Sequence, residues 1–394
     1  MIPSQAESLI NSARSWDDNR SAGWVTTADR LPNAVVIPAV PTTIASTAAN
    51  HILRLGTVQY APTRPRSARR GTGEQMRSSS STVGIVADID ELARHFAASG
   101  ADHRNRSPFN AGLCRHIATE PDIVALLSAA PDEQQLPVLL LAAVHSIVLA
   151  EPDVELARWY PTVSERPRRS DPFPAFARLC AERGDDIRTI VATHSVQTNE
   201  VGRCALLLPG VSAISRATGP VSSIDVGPSA GLNLLLDRYE YHYEPGVHNG
   251  SPSPVRLRCS TRGEPAGPSA LPTIARRVGI DRSPIDLTDP DAARWLTACV
   301  WPDQSDRFER LRAAIGLVEQ HPPEIRAGDA LDLVVSAARS TSHDGHPVVL
   351  NSWVLNYLTT EEQRRYVDQL DVLGREIDLS WVYAEAPALC PGIP

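Results

Sequence analysis

From Val83 to about Arg216 the apolar residues recur at helical spacing. Ile89, Leu92 and Phe96 form one stripe, Leu113 and Ile117 a second, and Ile123, Leu126 and Leu127 a third, with Ser107-Pro108 and Glu120-Pro121 as helix starts. Phe173, Phe176, Leu179, Ile187, Ile190 and Val191 continue the pattern, and Asn199 is placed to cap a helix running through Val201, Ala205 and Leu208 to Pro209. The 15-residue apolar stretch Leu136 to Ala150 reads as a buried helix, because roughly 18 to 20 residues are needed to cross a bilayer. His145 within it reads as a core histidine holding one hydrogen bond.

After Gly219 the period changes. Val221–Val226 reads as a short buried strand, Val255–Cys259 as an alternating one, and Val348–Leu350 and Ile377–Val382 as two more. Helical segments over 307–319 and 360–373 separate them, the second opened by Thr359-Thr360-Glu361-Glu362. Strands alternating with helices predict an α/β fold, a Rossmann-like, mostly parallel sheet preceded by an α-helical domain. The expected division is a basic leader over 1–82, a helical domain over 83–216 and the α/β domain over 217–394.

Composition sharpens this picture. The chain of 394 residues carries a net charge of −8, and all 38 basic side chains are arginine. Without lysine there is no Schiff-base, phosphate-loop or kinase-strand lysine. Arginine-only basicity with 33 prolines reflects a GC-rich genome. Residues 1–75 hold eight arginines against five acids, so the rest of the chain is the more acidic part. The run Ala61–Ser81 has almost nothing to bury and predicts disorder. Met76, the only internal methionine, is a candidate true start. The acidic balance speaks against nucleic acid as partner, and the apolar runs against a membrane. Six dispersed cysteines without a C-x-x-C pair, and no secretory start, place the chain in the cytoplasm with reduced thiols. No histidine and carboxylate spacing forms a metal signature.

The most informative run is SSIDVGPSAGLNLLLDRY, residues 222–239. A strand reaching Asp225 is followed by Gly227, Ser229 and Gly231 at two-residue spacing and then by a helix expected near Leu232. Such a turn lets a backbone approach a nucleotide at the carboxyl end of a strand. The spacing D-x-G-x-S-x-G resembles the first motif of Rossmann-like methyltransferases, D/E-x-G-x-G-x-G, whose loop embraces the methionine end of S-adenosylmethionine. Ser229 replaces the middle glycine. That resemblance makes Asp225, Gly227, Ser229 and Gly231 cofactor-binding candidates. Asp329, in RAGDALDL, is the candidate adenine contact or else a helix cap. Asn351, beside Ser352 in VVLNSW, is the candidate catalytic polar group near the transferred methyl. The acid expected at the end of the second strand is not found after Val255–Cys259, where Ser260, Thr261 and later Glu264 stand.

The runs LPVLLLAAVHSIVL (136–149), VQTNEVGRCALLLPG (196–210), IDVGPSAGLNLLLDRY (224–239), SPVRLRC (253–259), DAARWLTACVWPDQ (291–304) and GDALDL (328–333) together resemble the actinobacterial family of domain of unknown function 2332, over about residues 83–390. The resemblance implies a cytosolic protein whose glycine-rich turn is a family feature. It leaves three readings: an S-adenosylmethionine-dependent methyltransferase of unknown acceptor; a non-catalytic nucleotide-binding or scaffold protein; and a serine hydrolase with Gly227–Gly231 as a nucleophile elbow, Ser229 as nucleophile, and Asp329 with His343 or His346 following in order. Glu200 and Arg203 are expected to form an internal ion pair.

Overall fold

The computed structural model describes residues 89–394 apart from 198, 245, 262–267, 269 and 394, together with the backbone of strand β1 (Val35–Ile37). Apart from β1, the expected leader, the Ala61–Ser81 run and Met76 lie outside the described residues, as does Glu264. The described residues fall into two compact units that part between Val196 and Gln197, with β1 belonging to the second. The sequence places the end of the helical domain at 216. No helix among the described residues is long and apolar enough to cross a membrane.

The first unit is built from α1 (Ile89–Asp102), α2 (Pro108–Ile117), α3 (Pro137–Ala150), α4 (Phe173–Glu182) and α5 (Gly184–Thr193). Ser107 starts α2 by accepting from the Asn110 amide at 3.2 Å, and Pro108 fills the first helical position, where no amide proton is needed. Helix α3 is apolar on all sides and buried on nearly all of them. His145 is buried within it, with Nε2 2.8 Å from Thr162 Oγ1 and its ring against Tyr160.

The second unit carries two sheets. Strands β2 (Val221–Val226), β6 (Ile274–Asp281), β7 (Glu324–Ala327), β8 (His346–Ser352) and β9 (Ser380–Ala384) form a parallel sheet in the order β7-β6-β2-β8-β9. Counted from β2, this is order 3-2-1-4-5, so the chain reverses its direction of winding between β2 and β8. In open parallel sheets that reversal opens a crevice at the carboxyl ends of the two strands. The smaller sheet, β1-β5-β3-β4, holds the hairpin β3 (Glu240–Glu244) and β4 (Val247–Asn249) beside β5 (Arg256–Thr261). Val255–Cys259 therefore does not give the second strand of the parallel sheet, and β6 does.

Four α-helices follow β6 among the described residues, the first three being α7 (Pro290–Ala298), α8 (Ser305–Gln320) and α9 (Ala330–Thr341). The last, α10 (Thr360–Leu373), opens with a complete capping box between Thr359 and Glu362. Ile224 and Val226 of β2, Val278 and Ile280 of β6, and Trp381 of β9 form one core with α9 and α10. Alternation along β2 then turns Ser223 and Asp225 to the other face, toward α6 (Cys204–Thr218), which packs on β2, β8 and β9.

Helix α6 departs from the sequence reading in an instructive way. The expected stop at Pro209 lies inside it. A proline there leaves the carbonyl four residues back without its amide donor, and that carbonyl, Ala205 O, accepts from the buried Tyr243 hydroxyl at 2.8 Å. The capping residue also differs: Glu200 accepts from the Gly202 amide at 2.8 Å ahead of α6, while Asn199 turns to Ser229. Tyr243→Phe should therefore cost about 1–3 kcal/mol by orphaning a buried carbonyl. In a Pro209→Ala background, where the restored amide takes Ala205 O, the cost should shrink; urea unfolding of the double-mutant cycle reads the difference.

Candidate functional site

Strand β2 ends at Val226, and the next five residues turn sharply at the carboxyl edge of the sheet, where the winding reverses. Gly227 and Gly231 take φ of 72° and 78°, and Ser229 takes 54° between them. For an L residue with a Cβ this left-handed geometry costs roughly 1–2 kcal/mol. Four hydrogen bonds hold it. The Ser229 amide donates to Asp281 Oδ2 at 2.8 Å, its carbonyl accepts from the Ile285 amide at 3.1 Å, and its hydroxyl accepts from Asn199 Nδ2 at 2.8 Å and donates to Gln197 Oε1 at 3.2 Å.

Asp281 is the residue that sequence reading missed. It closes β6, the second strand counted from β2, and its other oxygen accepts from the Ser283 amide at 2.9 Å. The acid expected at that strand end is therefore present, and the gap read after Val255–Cys259 arose from a strand of the other sheet. The signal was the stretch RRVGID, in which an apolar run ends on an acid.

The two glycines serve close packing. A Cβ on Gly227 would run into the Val354 side chain, and one on Gly231 would lie 2.7 Å from Pro323 Cγ. After Gly231 no α-helix begins. Leu232–Arg238 forms short 3-10 turns broken at Leu235. Side chains take the carbonyls there: Tyr239 donates to Leu232 O at 2.6 Å, Tyr241 to Leu236 O at 2.5 Å and Arg277 to Leu234 O at 3.0 Å. The expected strand–turn–helix is thus a strand–turn–3-10 unit, without an extended helix dipole behind the loop.

Asp225 is 1% exposed, and its Oδ2 has no hydrogen-bond partner among the described residues. Burial pushes its pKa up to about 8, with Arg203 working against the rise and Asp281 adding to it. Glu385, just past β9, is buried too and pushed up to about 7 by burial, against the Val354 and Leu355 amides that it accepts from at 2.9 and 3.1 Å. Arg203 lies buried near both and donates to Ser352 O at 2.6 Å, tying the α6 side of the unit to the end of β8. The expected Glu200–Arg203 pair takes another form. Glu200 binds Arg307 at 2.7 Å and Arg310 at 3.2 Å, and although burial works to raise its pKa, these arginines hold it below the usual carboxylate range.

Asp329 follows β7 and is the N-cap of α9, accepting from the Leu331 amide at 2.8 Å. Its other oxygen accepts from Arg282 Nε at 2.8 Å. Burial works to raise its pKa, but the amide and Arg282 keep it depressed. Asp225, Ser229, Asp281 and Asp329 therefore all stand at the carboxyl edge of the parallel sheet. Asn351 stands apart from Asp225. Its Cα pairs with Val226 and that of Leu350 with Asp225, so Asn351 points to the α10 face. There it is fully buried, its Oδ1 accepting from Trp381 Nε1 at 2.6 Å and from the Tyr366 hydroxyl at 3.1 Å.

The hydrolase reading fails on placement. His346 begins β8 and pairs with Val221, at the amino end of the sheet, and its Nε2 lies 2.9 Å from Ser380 Oγ. His343 precedes it in the turn after α9. Ser229 lies beyond the opposite end of β2, and its hydroxyl is engaged by Asn199 and Gln197, so neither His343 nor His346 is positioned to take its proton.

A carboxyl group whose pKa is raised on folding stabilises the fold in its protonated form. That stability is complete below the unfolded value near 3.8 and is lost as pH rises toward about 8. Each unit of the rise corresponds to about 1.4 kcal/mol. Asp225→Asn, which keeps the shape and removes the charge, should melt above the parent protein at pH 8, with the gap narrowing toward pH 5. A gap of constant size across calorimetric scans at the two pH values would contradict the assignment.

The family described as uncharacterized protein conserved in bacteria, DUF2332, matches residues 90–389. No curated protein and no solved structure matches the chain. The match spans both the helical unit and the α/β unit with its carboxyl-edge loop, and the chain belongs to this bacterial family.

Proposed function

We propose that the carboxyl edge of the parallel sheet binds S-adenosylmethionine and that the protein is a methyltransferase of unassigned acceptor. The observation that carries this reading is Asp281, an acid closing the second strand and hydrogen-bonded to the loop that follows the first. Together with the 3-2-1-4-5 order it supplies the element whose apparent lack spoke most against such a site. The residues fit the group in their donor set. Asp281 and Asp329 are carboxylate acceptors for ribose hydroxyls and an adenine amino group, and the unpartnered Oδ2 of Asp225 is a buried polar atom at the winding reversal.

In this proposal Gly227, Ser229 and Gly231 present backbone to the ligand. Asp225 and Asp281 orient it, and Asn351 acts as a positioning residue by locking the end of β8 to Trp381 and Tyr366. When bound, the cofactor supplies an electrophilic methyl group, and the chain's part is to align an acceptor with it and to exclude water. The lysine-free composition fits an actinobacterial, GC-rich source. The free thiols fit a cytoplasmic site of action, and the net acidity fits a small-molecule ligand rather than nucleic acid.

One observation favours a second reading, a nucleotide-binding or scaffold protein without turnover. The spaces left by the absent Cβ atoms of Gly227 and Gly231 are taken by Val354, Pro323 and Ile325. Thermal shift separates the two from mere packing. S-adenosylmethionine at 100 times its dissociation constant should add ~2.7 kcal/mol, a rise of about 5–10 °C for a unit of this size, and Asp281→Asn should remove most of it. No shift at millimolar ligand would overturn the methyltransferase reading. A shift without methyl transfer to any acceptor in a bacterial extract would select the second.

A further inference from the structure

The β3–β4 hairpin carries a side-chain cluster for which the proposed function has no use. His242 and His248 face each other directly across the antiparallel pair, with ring centroids 4.6 Å apart and planes at 89°. Their Nδ1 atoms lie 2.7 Å apart. On the far side of the first ring, His242 Nε2 lies 2.7 Å from Glu240 Oε1. An ionised carboxylate only accepts hydrogen bonds, so this contact keeps the proton of neutral His242 on Nε2. The Nδ1 lone pair is then left facing His248. Glu240 is itself held, by Arg256 Nε at 3.1 Å and by the Ser253 amide at 3.5 Å. A carboxylate that fixes the tautomer and orientation of an imidazole is the usual outer support of a metal-ligating histidine.

We propose that His242 and His248 chelate a divalent transition ion of the zinc class through their Nδ1 atoms, with Glu240 as positioning residue. Two nitrogens on a tetrahedral zinc at about 2.05 Å stand about 3.3 Å apart, so the rings need to open by only about half an ångström. On binding, the Nδ1 proton of His248 moves to its own Nε2, leaving both Nδ1 lone pairs for the ion. Among the described residues no group of three or more His, Cys, Asp or Glu side chains converges on a metal position, so water completes the coordination. The surrounding charge permits a cation: on the same face, strand register sets Glu240 beside Arg256 and His242 beside Arg258, and Glu244 follows on β3. Two acids thus offset two arginines. The ion would clasp the three-residue β4 to β3. This inference does not rest on the proposed methyltransferase reading.

Equilibrium dialysis of the full chain, without a histidine tag, against zinc chloride tests it. The expected result is one equivalent bound at micromolar free zinc. His242→Ala and His248→Ala should each weaken binding at least tenfold, and Glu240→Gln roughly 10–100-fold, all with unchanged far-UV circular dichroism. Should His242→Ala misfold, the exposed His248 changed to Gln serves as the ligand-deletion variant. Failure of the parent protein to bind at millimolar zinc, or binding that a folded His248 variant retains in full, would overturn the proposal.

Discussion

Everything at the carboxyl edge of the α/β unit depends on holding Ser229 in a left-handed conformation. A glycine would adopt it freely; a serine needs compensation, and it receives four hydrogen bonds. Together they tie the loop to three parts of the unit: Asp281 to the second strand, Ile285 to the connection beyond it, and Asn199 and Gln197 to the segment ahead of α6. The serine that departs from the glycine pattern of the motif is thereby the loop's anchor, because its one hydroxyl both accepts from Asn199 and donates to Gln197.

Beneath this anchor the unit tolerates an unusual amount of buried charge. Glu200 is ionised because Arg307 and Arg310 reach it, whereas Asp225 and Glu385 lie in surroundings that disfavour their charged forms. Arg203 influences all three, and it also donates to the Ser352 carbonyl. A carboxyl group that is buried, lacks a partner on one oxygen and has a pKa near neutrality is costly in a purely structural role, and such groups concentrate where ligands bind. That cost, at the point where the parallel sheet reverses its winding, is the physical ground of the proposed site.

Much of the fold was legible in the sequence. Val221–Val226 reads as a short buried strand and is one, buried along its whole length, and Thr359–Glu362 marks the start of α10 to the residue. What misled was β6. Its first half, IARR, carries two arginines that break the apolar pattern; in the fold Arg276 reaches Glu324 and Asp344, and Arg277 reaches Asp237. These are tertiary partners that no local window contains. The strand was therefore not recognised, the second-strand role went to Val255–Cys259, and Asp281 went unseen. Pro209 misled for a similar reason, since the Tyr243 hydroxyl that compensates its missing amide lies 34 residues along the chain. Of the named site residues, Asp225, Gly227, Ser229, Gly231 and Asp329 share the carboxyl edge, while alternation along β8 sends Asn351 to the opposite face from Asp225.

The most direct measurement of the central claim is where a nucleoside ligand lies on the chain. Ultraviolet photolabelling with adenine-tritiated S-adenosylmethionine, followed by peptide mapping, should place the label in peptides spanning residues 224–238, 278–285 or 326–332, and excess unlabelled ligand should abolish it. Label confined to any other segment, or labelling indifferent to competitor, would contradict a site built on Asp225, Ser229, Asp281 and Asp329.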